Sequence, residues 1–190
     1  LVVQSRGSEV RNIYKNADGW QSDDVSTLVG HIFEGKTVVD WAFARRPYSI
    51  IWAVLSDGTL ASLTYDRTQE IWAWTRHTTY SGDLFKSVVV VPESGIDVPY
   101  FIVRRNGVSY IERMMERDAV ASAADYCGWD SAVYYTGSAV NSISGLAHLN
   151  GRQVYGNANG ILRGPVTVSG GVANFGGATS TKWWVGLQAI

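Results

Sequence analysis

The alternation of apolar and polar positions between residues 49 and 77 predicts three antiparallel strands in succession. Ile50–Leu55 is an unbroken apolar run, which is typical of a strand buried on both faces. Asp57 and Gly58 follow, and this pair predicts a type I′ hairpin, whose two central residues both need positive φ. We therefore expect residues 59–65 to form the return strand.

The third strand of this meander is predicted at Ile71–His77, after a turn at residues 66–69. Strand alternation places Trp72 and Trp74 on the same face. The chain contains eight tryptophans, and rings of this size belong in a core or in a contact with another molecule. Trp72 and Trp74 are therefore candidate interface or ligand-binding aromatics.

Three hairpins of the same kind, at residues 1–15, 51–66 and 100–115, predict an internal repeat. Their turns contain Gly7, Gly58 and Gly107, which lie about fifty residues apart. A period near fifty residues, with several strands in each period, is typical of β-propeller blades. The alternative is that these are ordinary glycine turns of another antiparallel fold, such as a sandwich.

One helix is predicted between the first two hairpins. Residues 23–34 place apolar side chains at helical spacing, and Ser22 or Asp23 precedes them as a cap. Gly35 is a typical stop signal. We expect an amphipathic helix whose apolar stripe packs on the β structure.

The remaining strands of the blades are predicted from the same alternation. Residues 37–44 would be the first strand of a four-stranded blade that the meander completes. The following blade would contain strands at residues 85–91, 99–104 and 108–114. Asn106 and Gly107 predict a second type I′ turn before the last of these strands.

A change of pattern after residue 118 predicts a domain boundary. We interpret residues 1–118 as propeller-like blades and residues 119–144 as a connecting segment. Residues 145–190 contain frequent glycine turns, which predict a small β-barrel or sandwich closed by a strand at residues 181–187. The turns of this module are Asn150-Gly151, Asn159-Gly160 and Gly170-Gly171. The predicted fold is all-β with one short helix.

The charge balance gives no sign of a nucleic-acid or anionic-membrane partner, because the formal net charge is −1. Cys127 is the single cysteine, so no disulfide forms within the chain. The sequence has no run of about 18 apolar residues, and thus no predicted membrane span. Because the sequence begins without methionine and in the middle of a predicted strand, we expect a fragment whose earlier blades are missing.

Candidate catalytic groups are few, and we expect no enzyme. Cys127 has no partner signature of a nucleophile, and the three histidines are not at metal-ligand spacing, so no metal or other cofactor is predicted. A glycosidase would need two facing carboxylates, for which Asp40 or Asp57 stays open. The acids Asp23-Asp24 suit a helix start, and the pairs Arg45-Arg46 and Arg104-Arg105 are interpreted as solvated strand ends.

Several of these segments, taken in order, resemble a family of tailed-bacteriophage structural proteins. The segments are VDWAF at residues 39–43, the meander IWAVLSDGTLASLTYDRTQEIWAWTRH, YIERM at 110–114, and GLAHLNGRQV followed by VSGGVANF and VGL. The family is similar to the tail nozzle proteins of short-tailed phages, also called tail tubular protein B, and occurs in prophages. The resemblance covers most of the chain.

The resemblance implies a virion protein made in the bacterial host cytoplasm. It implies a ring or nozzle around the DNA exit channel, with copies of itself and neighbouring tail proteins as partners. Passing DNA would be contacted without sequence specificity, and no catalytic residues come with the family. The alternative is a propeller that binds carbohydrate or a host receptor through Trp72 or Trp74, and an enzyme is the third possibility.

Overall fold

The computed structural model describes residues 1–4, 7–80, 82–116 and 122–188, and it is mostly β with one short α-helix. The chain divides into two compact units. The first consists of Leu1–Thr78, Leu84–Arg104 and Ile111–Met114. The second consists of Thr79–Asp83, Arg105–Tyr110 and Met115–Ile190. The predicted all-β class with one short helix is therefore confirmed.

The first sheet of the first unit has three strands in the order β1-β2-β3. Its strands are β1 (Val2–Val3), β2 (Val10–Asn16) and β3 (Gly19–Asp24). The predicted hairpin at 1–15 is present as the β1–β2 pair, with Gly7 at a positive φ of 77°. Ser5 and Arg6 of this hairpin lie outside the described residues.

The predicted helix at residues 23–34 begins later and is shorter than expected. Strand β3 continues to Asp24, and the helical part is a 3-10 turn at Thr27–Val29 followed by α1 (Gly30–Phe33). Asp24 does not start a helix, because its carboxylate accepts hydrogen bonds from the backbone N and the hydroxyl of Ser26, at 2.7 and 2.6 Å. These bonds make a turn directly after the strand.

The second sheet is the predicted four-stranded meander, in the order β4-β5-β6-β7. Its strands are β4 (Val38–Ala44), β5 (Ile50–Leu55), β6 (Leu60–Asp66) and β7 (Ile71–His77). Every residue of β5 is buried, as its unbroken apolar run predicted. The sequence pattern therefore predicted this sheet strand by strand.

The turn between β5 and β6 differs from the predicted type I′ hairpin. Gly58 has a positive φ of 83°, but Asp57 is not among the residues with positive φ. The bonds Gly58 N to Leu55 O and Leu55 N to Thr59 O enclose a three-residue loop, which ends on glycine. Asp57 instead accepts hydrogen bonds from the backbone and hydroxyl of Thr59, which stabilise this longer loop.

The third sheet is again a meander, in the order β10-β9-β8. Its strands are β8 (Leu84–Glu93), β9 (Ile96–Arg105) and β10 (Val108–Arg113). The predicted type I′ turn is confirmed, because Asn106 and Gly107 have φ of 49° and 82°.

The core of the first unit lies on both faces of the second sheet. On one face Trp52 and Val54 pack against Phe85 and Phe101 of the third sheet. On the other face Ile51, Leu55 and Leu63 pack against Val10 of β2 and Ile32 and Phe33 of α1. Three antiparallel sheets thus form successive layers of the first unit. Whether one rotation axis relates the three hairpins stays a prediction.

The second unit contains a four-stranded sheet in the order β11-β16-β13-β14 and a two-stranded sheet of β12 and β15. The strands are β11 (Trp129–Val140), β12 (Ser142–Ile143), β13 (Gln153–Ala158), β14 (Ile161–Thr167), β15 (Ala173–Asn174) and β16 (Ser180–Gln188). Short 3-10 turns lie at Ala123–Asp125 and Ala147–Leu149.

A single core joins these two sheets. Ile143 and Ala173 of the small sheet pack with Val154, Trp183 and Val185 of the large one. The described strands of this unit do not close into a barrel, so of the two predicted forms, barrel and sandwich, the layered one fits better. The predicted turns are present, and Asn159-Gly160 is of type I′, with φ of 48° and 89°.

The connecting segment predicted at residues 119–144 contains a long strand. Within it, β11 pairs antiparallel with β16, from Trp129 opposite Gln188 to Val140 opposite Ser180. The sequence indicates only a possible strand at residues 132–136, and the two breaks in register of β11 lie on either side of most of this stretch. Residues 119–121 of the segment lie outside the described residues. None of the described helices is long and apolar enough to cross a membrane.

Candidate functional site

The two tryptophans singled out on β7 have different environments. The indole N–H of Trp74 donates to the carbonyl oxygen of Val25 at 2.8 Å, and its ring meets Phe33 edge-on, with centroids 4.9 Å apart. Trp74 therefore belongs to the core of the first unit. Trp72 is 37% exposed and is the member of the pair that can contact another molecule.

Strand β7 is a free edge of the second sheet. It is the last strand in the order β4-β5-β6-β7, and no other described strand pairs with its outer side. Tyr65 N donates to Ser49 O of the preceding segment, so the backbone groups of Tyr65 point away from β7. Those of its neighbour Thr64 therefore point toward β7, where Thr64 is paired with Ala73. Because antiparallel bonding alternates, the backbone groups of Trp72, Trp74 and Arg76 point outward.

The β7 edge has few of the devices that usually protect an edge strand from pairing, and Arg76 is its single Lys, Arg, Asp or Glu residue. It has no proline, and its register with β6 is continuous over seven residue pairs. Most other edges are protected: β4, β8 and β11 contain bulges, and β1 has only two residues. Strand β14 contains Pro165, β3 ends in Asp23-Asp24, and β10 ends in Glu112-Arg113.

A second apolar surface lies on the outer side of the β2–β3 hairpin. Ile13 faces Ser22 and Lys15 faces Trp20, so Ile13 and Trp20 are diagonal neighbours on one face. Ile13 is 46% exposed and Trp20 is 73% exposed. A tryptophan left so exposed is typical of a surface that contacts another molecule.

The outer face of the four-stranded sheet in the second unit carries an aromatic surface. Trp129 of β11 stacks on Tyr155 of β13, with centroids 5.7 Å apart and an interplanar angle of 15°. The rings meet across Gly186 of β16, where a Cβ would lie 2.8 Å from the Cβ of Trp129. Glycine at this position is therefore required for the stack.

The same face continues through Tyr134 and Trp184, whose ring centroids are 4.5 Å apart. The segment around Ala123–Asp125 lies over part of this face, since Asn157 donates to the carbonyl oxygens of Ala123 and Tyr126. Tyr126 is 58% exposed and Tyr134 is 43% exposed. The face therefore presents several rings whose edges are in contact with solvent.

A network of buried charges holds the second unit together. The side chain of Asp83 is fully buried between Arg105, whose Nη1 lies 2.8 Å from its Oδ2, and Arg152, whose Nη2 lies 2.6 Å from its Oδ1. Arg105 also donates to Asp130 at 3.0 Å. The ring of Tyr80 covers the Arg152 guanidinium, 4.5 Å from its centroid.

The charges of this network fix the protonation of Asp83. Burial on its own would raise the pKa of Asp83, but hydrogen bonds from Arg152 and Arg105 and their positive charges lower it below the ordinary value. Asp83 is therefore ionised at neutral pH. Two guanidinium groups and two carboxylates balance, so the network is neutral as a whole.

The network corrects one interpretation of the sequence. Arg104-Arg105 was interpreted as a solvated strand end, and this is wrong for Arg105, which is 0% exposed. The four charged residues come from segments far apart in the chain, so no local pattern connects them. The only local signal is alternation, which places Arg105 on the same face of β9 as Phe101 and Val103.

The residues considered for catalysis have structural partners. Asp40 accepts hydrogen bonds from the hydroxyl of Ser87 and the backbone N of Val88, and Asp57 pairs with Lys36 at 2.9 Å. The thiol pKa of Cys127 is raised by burial, which makes it a poor nucleophile. In the described part of the chain, His, Cys, Asp and Glu form no group that could hold a metal ion.

Comparison with known proteins does not assign the chain to a family. The sequence matches no protein-family model, and no curated protein matches it. The function proposed below rests on the sequence motifs and on the surfaces described above.

Proposed function

We propose that this chain is a structural component of a bacteriophage tail, part of a ring or nozzle around the DNA exit channel. It acts by assembly with copies of itself and with neighbouring tail proteins, without catalysis. The observation that carries the proposal is the ordered set of sequence segments that resembles the tail nozzle family. No other feature of the chain points to one class of protein so specifically.

The positions of these segments support the proposal. VDWAF forms most of β4, the long meander segment forms β5, β6 and β7, and YIERM begins within β10 and ends just after it. Strands β4 to β7 are consecutive elements of the first unit and form one sheet, in which β5 is buried throughout. Part of the resemblance therefore lies on buried residues that build the fold, with β5 as the clearest case.

The exposed apolar surfaces also support an assembly function. The outer β2–β3 face with Trp20, the β7 edge with Trp72, and the aromatic face of the second unit all present large rings to solvent. Aromatic residues are enriched in contacts between proteins. A protein that functions inside a larger particle would cover such surfaces with its neighbours.

The charge balance is compatible with a channel through which DNA slides. Lysine and arginine contacts to phosphate hold DNA in place, and affinity grows with the number of such contacts. This chain has a formal net charge of −1. Among its arginines, Arg105 and Arg152 are buried and paired with Asp83, so neither is available to phosphate.

Deletion of the gene in the phage or prophage that encodes the chain tests this proposal. We expect heads that fill with DNA and tails that are incomplete at the distal end, as seen by electron microscopy. Supplying the gene in trans should restore complete tails. Morphologically complete, infectious particles from the deletion strain would contradict the proposal.

A second candidate function, binding of a neutral carbohydrate, is favoured by the aromatic face of the second unit. Tyr126 and Tyr134 expose ring surface there, and the charges of Asp125 and Lys182 pair with each other at 2.5 Å. Such a face suits stacking on sugar rings. Because Trp74 is part of the core, β7 offers only Trp72 to a sugar, whereas this face offers several exposed rings.

Fluorescence separates the two candidates, because Trp129 and Trp184 lie within this face. Titration with oligosaccharides from the host cell envelope should change tryptophan emission if the face binds sugar. The change should be lost in Tyr134→Ala and kept in Tyr48→Ala, which removes an exposed tyrosine of the first unit. A flat titration removes the carbohydrate candidate and leaves the tail proposal intact.

A further inference from the structure

The outward backbone groups of the β7 edge are arranged symmetrically about one residue, and neither a proline nor a bulge interrupts them. The outward-pointing residues are Trp72, Trp74 and Arg76, so three N–H and three C=O groups face away from the sheet. Trp74 is at the centre of this set. A twofold axis placed at Trp74 brings the edge of one copy onto the same edge of another.

We propose that β7 pairs antiparallel with β7 of a second copy of this chain, about a twofold axis at Trp74. The contact joins the two four-stranded sheets into one continuous eight-stranded sheet. It uses the same surface on both copies, as a twofold contact requires. The second copy is the occupant because the edge is complementary to itself in backbone and in side chains.

The backbone complementarity follows from the register. With the axis at Trp74, Trp72 faces Arg76 of the second copy, and each such pair exchanges two N–H to C=O bonds. Trp74 faces Trp74 of the second copy in the same way. The pairing therefore gives a hydrogen-bond partner to all three outward N–H groups and all three outward C=O groups of each strand.

The side chains add an attraction between the pairs at either end. Trp72 and Arg76 are both exposed on β7, and the pairing places the Trp72 indole beside the Arg76 guanidinium of the second copy. A cation beside an indole face is favourable. The strand carries no acidic residue that would compete for Arg76 across the contact.

The twofold contact is separate from the ring contact of the proposed function. A ring requires a head-to-tail contact between different surfaces, whereas a twofold contact closes on itself after two copies. Absence of the chain from phage particles would thus leave the β7 pairing standing. Absence of the β7 pairing would equally leave the tail proposal standing.

Sedimentation of the purified chain is the first test. We expect a monomer–dimer equilibrium, and we expect Arg76→Pro to weaken it by at least about tenfold, because the N–H of Arg76 points outward and proline removes it from the contact alone. Trp72→Ala should weaken the dimer as well. The matched control is Arg104→Glu, which changes an exposed arginine on β9 and should leave the dimer unchanged.

Disulfide trapping tests the register itself and does not depend on the stability of any proline variant. The pairing places Ala73 opposite Thr75 of the second copy in a non-hydrogen-bonded pair, where Cα atoms lie roughly 4.5 Å apart and within reach of a disulfide. Both positions are exposed. The double variant Ala73→Cys with Thr75→Cys should therefore form a covalent dimer on mild oxidation.

The single variants and the unmodified chain are the controls for trapping. Ala73→Cys alone should cross-link far less, because residue 73 does not face its own copy, and the unmodified chain reports the background from Cys127. Equal cross-linking of single and double variants would overturn the register. A chain that is monomeric by sedimentation and is not trapped by the double variant would overturn the pairing.

Discussion

At the scale of single residues, the buried carboxylate of Asp83 is the most consequential side chain of the second unit. It pairs with Arg105 and Arg152, and these guanidinium groups are too buried for water to take the place of the carboxylate. We expect Asp83→Asn to lower the free energy of unfolding by about 3 kcal/mol, since removing one partner leaves a buried charge uncompensated. Chemical denaturation of the variant and the unmodified chain measures this difference.

An exposed ion pair provides the control for this prediction. Glu93 binds Arg113 at 2.8 Å, but both side chains are partly exposed. Ion pairs at a surface contribute little to stability. Glu93→Gln should therefore leave the unfolding midpoint nearly unchanged, and an effect as large as that of Asp83→Asn would refute the special role of burial.

The same carboxylate predicts how stability depends on pH. The pKa of Asp83 is lower in the folded than in the unfolded state. Its contribution to the free energy of unfolding is therefore fully present above the unfolded-state pKa, and it is lost as pH falls through the folded-state pKa. Stability should therefore decrease as pH drops below about 4, the pKa of an unperturbed aspartate. Hydrogen bonds from Ser26 outweigh burial and lower the pKa of Asp24, which acts in the same direction.

Denaturation curves between neutral and acidic pH measure this dependence. The slope of stability against pH should be smaller in Asp83→Asn, because the variant cannot take up that proton. A variant with the same acid sensitivity as the unmodified chain would show that other carboxylates dominate.

Trp72 and Trp74 give a matched pair of substitutions on one strand. Trp74→Ala removes the bond to Val25 and the contact with Phe33, and should lower stability by about 2 kcal/mol or more. Trp72→Ala removes a more exposed ring and should have a much smaller effect. Thermal unfolding at a concentration that favours the monomer distinguishes the two, and equal losses would contradict the assigned environments.

At the scale of elements, the turns of the two central hairpins explain how far local sequence signals reach. Asn106-Gly107 forms the type I′ turn that its sequence predicts. Asp57-Gly58 has an equally strong signal but lies in a three-residue loop, because the Asp57 carboxylate binds Thr59. A side chain that bonds the nearby backbone can therefore override a dipeptide preference.

The two glycines of these turns predict different costs of substitution. Both have positive φ, so valine is strained at either position, and Gly107→Val should cost about 1 kcal/mol or more. Gly58→Val should cost more, because a Cβ there would lie 2.7 Å from the Cβ of Leu84, whereas the space beside Gly107 is open. Melting temperatures that rank the variants in the opposite order would contradict the close packing of Leu84 on this turn.

The short helix shows where helical periodicity misleads. Apolar residues between 23 and 34 are spaced as in a helix, but Val25 is buried from the bend that follows β3, and Leu28 is 95% exposed. Only Ile32 and Phe33 reach the core from α1. The hydrogen bonds that Ser26 donates to the Asp24 carboxylate set the local conformation, and they depend on two side chains that periodicity ignores.

At the scale of the whole molecule, the all-β class and the second sheet were predictable because their signals are local. The alternation, the buried run of β5 and the glycine turns lie within a few residues of each other. The full extent of β11 was not predictable from sequence, because its partner strand β16 is about fifty residues away and two bulges interrupt the alternation of β11. The buried network of Asp83 was missed for the same reason of sequence distance.

The central claim is that this chain is part of a phage tail, and its presence in purified particles tests that claim most directly. Quantitative mass spectrometry of particles from the encoding phage or induced prophage should detect the chain at several copies per particle, as a ring component requires. Its abundance should fall together with that of the tail proteins when tails are detached from heads. Complete absence of the chain from infectious, gradient-purified particles would contradict the account.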